Sequence, residues 1–145
     1  MVPKLVWEDG KDFIKNTPTH KVWAELERLV DAGLIKSIGV SNANVTVILD
    51  LMSYARIKPV VNQIELHPYL VQNDLVAFFE KLGIKLMAYS PLSAPNWPYR
   101  DERLKNINLL ADPVITSIAT KHGKTPAQVI LNWHLKRGHL MIPRT

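Results

Sequence analysis

The chain has 145 residues, of which 47% are hydrophobic and 21% charged, and its formal net charge is +5. This length and apolar content suffice for one compact globular domain with its own core. No apolar run approaches the ~20 residues that a bilayer span requires, and the absence of cysteine excludes disulfides and Cys-ligated zinc. Because the N-terminus also lacks the apolar segment of a secretory signal, we expect a cytoplasmic protein that does not enter a membrane.

The charge is distributed unevenly along the chain. No acidic residue follows Asp112, whereas five cations do: Lys121, Lys124, Lys136, Arg137 and Arg144. This basic end would attract a small anionic ligand. The alternative is a solvated basic face with no specific partner. Nucleic-acid binding is not expected, because the cations are dispersed among apolar helix positions.

The first segments predict a loop, a helix and a strand. Residues 1–18 have no clear hydrophobic period and are interpreted as a loop. Thr17-Pro18-Thr19 is typical of a helix start, and the apolar stripe that follows it ends at Gly33. A strand from Ile35 to Val40 then leads through Ser41-Asn42-Ala43-Asn44 into a second helix.

The middle of the chain continues this alternation. The second helix has its apolar stripe between Val47 and Ala55. The β-branched run from Val60 to Leu66 predicts a strand that is buried on both faces. Asn73 is expected to cap a third helix, which ends at Gly83, and a third strand follows from Ile84 to Tyr89.

Two helices and a last strand are predicted in the remainder. Residues 90–111 are rich in proline and form the longest irregular stretch, and a loop of that length is usually functional. A helix is predicted from Pro113 to His122. Thr125-Pro126-Ala127-Gln128 is a capping box that opens another helix running to Gly138. The last strand is expected from Leu140 to Pro143.

Strands that alternate with helices predict an α/β fold of parallel strands joined by right-handed crossovers. Four strands are half of a (β/α)₈ TIM barrel, so we expect residues 19–145 to form a four-stranded parallel half-barrel with outer helices. Such a half-barrel has unpaired edges at its first and last strands and one poorly covered face. Three explanations are open: a missing half precedes Met1, two copies pair, or the domain is marginal and prone to aggregation.

Small polar residues lie on strands that are otherwise apolar. Ser41, Asn42 and Gln63 are at or near carboxyl ends of strands, where α/β enzymes bind their ligands. Donors and acceptors of this kind can recognise a carboxamide. The alternative is a structural role, in which Ser41 and Asn42 cap the next helix and Gln63 bonds to backbone.

Four segments together resemble the aldo-keto reductases: Gly33–Asn42, Val60–Glu65, Ile84–Leu92 and Leu140–Thr145. The resemblance is in register over about residues 19–145, and it reaches only the second half of that family's barrel. It implies that Ser41, Asn42 and Gln63 hold the nicotinamide carboxamide of a cofactor and that Tyr89 stacks on the nicotinamide ring.

The loop after the third strand also has a counterpart in this family. Ser90-Pro91-Leu92-Ser93 resembles the segment that follows the cofactor pyrophosphate, which implies that Ser90, Leu92 and Ser93 contact the cofactor. Ser93 stands where a glycine is common. Trp97 and Tyr99 resemble the wall of the substrate pocket. The structural alternatives are a simple proline-containing turn and aromatic residues packed on the barrel rim.

The C-terminal residues resemble a phosphate-binding segment. In Ile142-Pro143-Arg144-Thr145 the resemblance places a cation and a hydroxyl at the 2′-phosphate of the adenosine ribose. It implies cofactor contacts from Pro143, Arg144 and Thr145, and NADP(H) in preference to NAD(H). The alternative is an arginine exposed to solvent.

Other kinds of site are not indicated. The five histidines are isolated in the sequence and none has a His, Asp or Glu at metal-ligand spacing, so no metal site is predicted. No H-E-x-x-H, P-loop or G-x-G-x-x-G motif occurs. Ala43 stands where the family motif usually continues with Phe.

The resemblance does not extend to a proton donor. Members of the family pass hydride from NADPH to a carbonyl carbon while a tyrosine, tuned by a lysine and an aspartate, protonates the oxygen and a histidine orients the substrate. Those four residues belong to the first half of the barrel, and neither residues 1–18 nor any tyrosine here matches them. We therefore assign no catalytic residue and expect the chain alone to be inactive.

Two hypotheses follow for the function. In the first, the chain is part of an NADPH-dependent reductase that acts on a small carbonyl substrate once an N-terminal half completes it. In the second, it is a non-catalytic nucleotide-binding or assembly module that pairs its half-barrel with itself or another half through the exposed strand edges. We favour the first, because such edges are hard to justify in a stand-alone protein.

Overall fold

A computed structural model describes residues 17–93 and 108–143 of the chain. The described strands are β1 Val40–Ser41, β2 Val61–Glu65, β3 Lys85–Tyr89 and β4 Leu140–Met141. The described α-helices are α1 Thr19–Asp31, α2 Val45–Tyr54, α3 Asn73–Lys81, α4 Pro113–His122 and α5 Pro126–Lys136. A short 3₁₀ turn, Leu109–Ala111, precedes α4. Of the helices in these ranges, none is long and apolar enough to cross a bilayer.

The strands form one sheet in the order β1-β2-β3-β4, and every neighbouring pair is parallel. Each strand reaches the next through helices, α2 and α3 singly and α4 with α5 as a pair. This arrangement confirms the predicted α/β fold, and it is consistent with part of a (β/α)₈ barrel.

Local capping chemistry determines where the last two helices begin. The Asp112 carboxylate accepts hydrogen bonds from the amides of Val114 and Ile115, so it caps α4. The Thr125 hydroxyl accepts from the Gln128 amide, while the Gln128 side chain accepts from the Thr125 amide. The predicted capping box is therefore confirmed, and it satisfies amides that have no partner within the helix.

The predicted cap of the third helix is wrong. Gln72, with a φ of 46°, occupies the cap position, and Asn73 is the first residue of α3. The Asn73 side-chain oxygen instead accepts a hydrogen bond of 2.6 Å from the Arg137 guanidinium. A tertiary partner at the end of α5 has thus taken the oxygen that the local sequence suggested for capping.

Both edge strands are shorter than predicted. Strand β1 has two residues where a strand from Ile35 to Val40 was expected, and β4 ends at Met141 instead of Pro143. Isolated ladder bonds continue past each of them: Val60 donates to the Ile38 carbonyl at 3.0 Å and Ile142 to the Ala88 carbonyl at 3.1 Å. An edge strand has only one neighbour, so its regular pairing ends earlier than that of a central strand.

The main core lies between the sheet and helices α1, α2 and α3. Its fully buried members include Ile48, Leu51, Leu66, Phe79 and Ala88. A smaller cluster, Leu109, Ile115 and Ile130, packs α4 and α5 together. The main cluster therefore places α1, α2 and α3 on one face of the sheet.

The opposite face of the sheet is covered less completely. In β2 the helix-facing residues Asn62 and Ile64 are buried, as is Leu66 just past the strand, whereas the alternating residues are half-buried: Val61, Gln63 and Glu65. The prediction that this strand is buried on both faces is therefore wrong. The second face remains partly open because, within the described part of the chain, helices pack on one side only.

Gly39 makes the approach of β1 to β2 possible. A Cβ atom at this position would lie 2.4 Å from Cγ1 of Val61 and 2.7 Å from its carbonyl oxygen. We expect Gly39→Ala to lower the free energy of unfolding by about 1–3 kcal/mol, because the rigid backbone of β2 cannot give way. Urea unfolding measures this change. The matched control is Ser37→Ala, at an exposed position on the same segment; equal unfolding midpoints for the two variants would contradict the expectation.

Candidate functional site

The candidate site lies at the carboxyl ends of β1, β2 and β3. Ser41 ends β1 and pairs in register with Gln63 of β2, so both side chains are on the partly open face of the sheet. Tyr89 ends β3 and is in register with Glu65 on that same face. Parallel strands bring their carboxyl ends to one edge, which is where α/β folds bind ligands.

Hydrogen bonds connect the polar residues of this edge. The Gln63 carbonyl oxygen accepts from the Ser41 hydroxyl at 3.0 Å and from the Asn42 amide at 2.9 Å. The Tyr89 hydroxyl donates to the side-chain oxygen of Asn42 at 3.2 Å. The structure therefore brings together all four residues that the sequence singles out for the nicotinamide, and their role in binding remains a prediction.

The structural alternative is wrong for Ser41 and Asn42. The cap of α2 is Asn44, whose side-chain oxygen accepts from the Val47 amide at 2.9 Å, so Ser41 and Asn42 do not cap that helix. Among the described residues, the hydrogen bond of the Gln63 side chain goes to another side chain, since its Nε2 donates to the Met87 sulfur at 3.4 Å. The side chains at this edge thus have no capping duty that would account for them.

The internal bonds determine what each residue can offer a ligand. Ser41 uses its hydroxyl hydrogen within the protein and can present oxygen lone pairs. Asn42 uses its oxygen to accept from Tyr89, which leaves the nitrogen as its donor. The weak bond of Gln63 Nε2 to a sulfur leaves the Gln63 oxygen as an acceptor. One donor and two acceptors match in number the C=O and the two N–H groups of a primary carboxamide.

The environment of Tyr89 keeps its hydroxyl protonated. Burial raises the pKa of Tyr89 above its usual value, and the charge of Glu65 raises it further. A tyrosine with a raised pKa remains a hydrogen-bond donor at neutral pH. Its bond to Asn42 is therefore maintained, and the orientation of the Asn42 amide with it.

A tight turn follows β3. The Ser93 amide donates to the Ser90 carbonyl at 2.8 Å, and the two serines have φ values of 66° and 47°. These are left-handed conformations that favour glycine. Leu92 is half-buried and packs against the small core cluster of α4 and α5, so it anchors this turn.

A buried histidine supports the turn from behind. His134 of α5 has no exposed surface, and its Nε2 lies 3.4 Å from the Pro91 carbonyl oxygen. Its Nδ1 lies 3.4 Å from Nδ1 of His139, which is also buried. Because a carbonyl can only accept, Nε2 of His134 carries the hydrogen and Nδ1 accepts from His139.

This pair corrects the sequence interpretation, in which the histidines are isolated. Burial lowers the pKa of His134 to about 4, and the positive charge of Arg137 is among the neighbouring influences that lower it, whereas the bond to Pro91 opposes the shift. Burial also lowers the pKa of His139. Both rings are therefore neutral at pH 7 and can form the directed chain of hydrogen bonds. Sequence reasoning missed them because neither helix periodicity nor metal-ligand spacing connects residues on either side of a turn.

Asn62 is a second residue that sequence reasoning missed. It is a fully buried amide on the helix-facing side of β2, and it bonds to Ala43 immediately after the site residues of β1. The signal was present in the sequence, since a polar residue next to Gln63 must point to the opposite, apolar side of the strand.

Of the other predicted site residues, one lies within the described part of the chain. Pro143 lies just past β4 and is exposed. Arg144, Thr145, Trp97 and Tyr99 lie outside the described residues. Within residues 17–93 and 108–143, no group of three or more metal-ligating side chains occurs.

The sequence is similar to proteins of one family. Its residues 11–145 match the model of the aldo/keto reductase family. Aldo-keto reductase family 1 member A1-A of Danio rerio is 46% identical over 139 residues, with 94% of this chain and 42% of the relative covered. A probable NAD(P)H-dependent D-xylose reductase of Aspergillus clavatus is 44% identical over 146 residues, with 99% and 44% covered. Aldose reductase B of Dictyostelium discoideum is 44% identical over 137 residues, with 94% and 41% covered.

The neutral state of His134 predicts a pH dependence of stability. A histidine in the unfolded chain takes up a proton near pH 6.5, whereas His134 in the folded chain does so near pH 4. The unfolded state is therefore favoured progressively as the pH falls from about 6.5 to about 4, by up to about 3 kcal/mol. Above that window the stabilisation is fully present.

Urea unfolding from about pH 7 to about pH 4.5 tests this dependence. We expect His134→Gln to be less stable than the wild type at neutral pH and to lose less stability on acidification. His122→Gln, at an exposed histidine of α4, is the control and should keep the wild-type slope. A slope for His134→Gln as steep as that of the wild type would contradict the assignment of a neutral His134.

Proposed function

Because this chain belongs to the aldo/keto reductase family, we propose that it is the cofactor-binding half of an NADPH-dependent reductase of aldehydes and ketones. The observation that carries the proposal is the meeting of Ser41, Asn42, Gln63 and Tyr89 at one edge of the sheet. When bound, NADPH supplies the hydride. The chain's own residues bind and orient it.

The residues at this edge fit the nicotinamide end of the cofactor. Asn42 supplies a donor for the carboxamide oxygen, and Ser41 and Gln63 supply acceptors for the carboxamide nitrogen. The half-buried ring of Tyr89 offers an aromatic face to the nicotinamide. Binding of this kind fixes which face of the nicotinamide is turned toward a substrate.

Two further segments serve the phosphates. The turn from Ser90 to Ser93 supplies hydroxyl and backbone N–H groups, through Ser90, Leu92 and Ser93, to the pyrophosphate. Arg144 and Thr145 receive the 2′-phosphate, which arginine can grip with two parallel hydrogen bonds, and Pro143 contacts the cofactor beside them. This pattern supports NADP(H) in preference to NAD(H). The net charge of +5 agrees with such an anionic ligand.

The proton donor comes from outside this chain in our proposal. The chain spans less than half the length of the relatives it matches, between 41% and 44% of the three named above. An N-terminal half-barrel would cover the partly open face of the sheet and supply the aspartate, tyrosine, lysine and histidine of the family's reaction. Trp97 and Tyr99 would form part of the substrate wall.

The substrate class follows from the relatives. Two of them carry names that specify aldoses, a D-xylose reductase and an aldose reductase. Open-chain sugar aldehydes are therefore included with simple aldehydes and ketones among the proposed substrates. The compartment that we propose is the cytoplasm.

Complementation tests the proposed function. The chain is produced alone and together with the N-terminal half of the Danio rerio relative, and each sample is assayed for NADPH binding by fluorescence and for loss of NADPH absorbance with D-xylose or an aromatic aldehyde. We expect NADPH binding by the chain and turnover only in the mixture. A chain that forms a dimer, binds NADPH and cannot be complemented would support the pairing module instead. Absence of NADPH binding in both samples would overturn the reductase function and the nucleotide-binding form of the module.

Arg144 provides a test of cofactor preference. We expect Arg144→Ala to weaken NADPH binding by about tenfold or more, since it removes a charge-assisted contact to phosphate, and to leave NADH binding unchanged. Fluorescence titration of both cofactors measures the two affinities. Lys124→Ala, which removes an exposed cation from the same basic segment, is the control. Equal losses for NADPH and NADH would contradict the assignment of Arg144 to the 2′-phosphate.

A further inference from the structure

We propose that Asn62 is a positioning residue that holds the turn Ser41–Ala43 in the geometry that recognises the cofactor carboxamide. This inference rests on the proposed function and extends it to a residue that lies behind the site. Asn62 faces the helices, so it acts through the turn and does not touch the cofactor.

The contact between Asn62 and the turn is a two-point clamp. The Asn62 side-chain nitrogen donates to the Ala43 carbonyl at 2.9 Å, and its oxygen accepts from the Ala43 amide at 3.3 Å. Asn62 is 0% exposed and Ala43 is 3% exposed. A side-chain amide has thus paired with both polar groups of one residue, as a neighbouring strand would, at a point where β1 has already ended.

The clamp lies beside a strained residue. Asn42 has a φ of 53°, a left-handed conformation that is uncommon for a residue other than glycine. Such a conformation persists where the surrounding structure fixes it from several sides. On one side the Asn42 amide donates to the Gln63 carbonyl, and on the other Asn62 holds Ala43. The orientation of the Asn42 side chain toward Tyr89 depends on both.

Asn62 is a polar residue in an apolar layer, and its hydrogen bonds to Ala43 explain why an amide is needed there. The register partner of Asn62 on β3 is Leu86, and Asn62 lies on the same buried side of the sheet as Leu86. A leucine at position 62 would fit this layer in size, but it would leave the amide and carbonyl of Ala43 buried without partners. Unpaired groups of this kind are costly, so the turn would rearrange to reach water.

Comparing two ligands, one with a nicotinamide and one without, distinguishes a positioning role of Asn62 from a general effect on protein stability. We expect Asn62→Leu to weaken NADP⁺ binding by about tenfold or more and to leave the binding of adenosine 2′,5′-bisphosphate, which has no nicotinamide, unchanged. Isothermal titration calorimetry measures both. Leu86→Val, in the same buried layer, is the control and should change neither affinity. Equal losses for the two ligands in Asn62→Leu would overturn the proposal.

Asn62→Asp adds a readout that a purely structural role would not change. A protonated aspartic acid has the donor and acceptor that Ala43 requires, whereas the carboxylate has no donor. Burial raises the pKa of a carboxylic acid. We therefore expect the NADP⁺ affinity of Asn62→Asp, relative to the wild type, to recover as the pH falls from about 8 to about 5, with no recovery in Asn62→Leu. A ratio that does not change with pH would contradict the clamp.

Hydrogen exchange tests the clamp without a ligand. The Ala43 amide should exchange faster in Asn62→Leu than in the wild type or Leu86→Val, because it has lost its acceptor. If the wild type does not bind NADP⁺, the proposed function fails, and faster exchange at Ala43 still shows that Asn62 holds the turn. Unchanged exchange at Ala43 would overturn the positioning role, whatever the affinities.

Discussion

The parallel pairing of β1 with β2 decides where the polar groups of the site can lie. It sets Ser41 opposite Gln63, so that a single carbonyl oxygen of Gln63 accepts from both the Ser41 hydroxyl and the Asn42 amide. That oxygen fixes one side chain and one backbone amide at the end of the neighbouring strand β1. The approach requires a glycine at position 39, since a Cβ there would collide with Val61. A change that moved β1 relative to β2 would therefore disturb the sheet register, the core and the geometry of the site together.

Features with local chemical causes could be predicted from the sequence. The capping box at Thr125 and the start of α4 at Pro113 depend on residues within a few positions of each other, and both are confirmed. The parallel α/β arrangement follows from the alternation of elements. The gathering of Ser41, Asn42 and Gln63 follows as well, because parallel strands end at the same edge of a sheet.

Features that depend on distant partners could not be predicted in this way. Asn73 is a residue type that commonly caps helices, but Arg137, directly after α5, donates to its side-chain oxygen. The lengths of β1 and β4 depend on how much of each edge meets a neighbour. His134 and His139 meet because the chain turns between α5 and β4, and no hydrophobic period records that contact. The burial of the second face of β2 depends on which elements pack on the sheet, and the composition of the strand does not specify them.

The supports behind the two candidate cofactor loops are both uncharged. Asn62 holds the turn after β1 with a neutral amide, and His134, neutral because burial lowers its pKa, contacts the Pro91 carbonyl in the turn after β3. A buried ion in either place would cost several kcal/mol of desolvation and would impose a fixed field on the loops. Neutral supports orient the backbone without that field. In the proposed function, the attraction of the anionic cofactor is then left to the cations of the basic C-terminal segment, so orientation and charge recognition would vary independently.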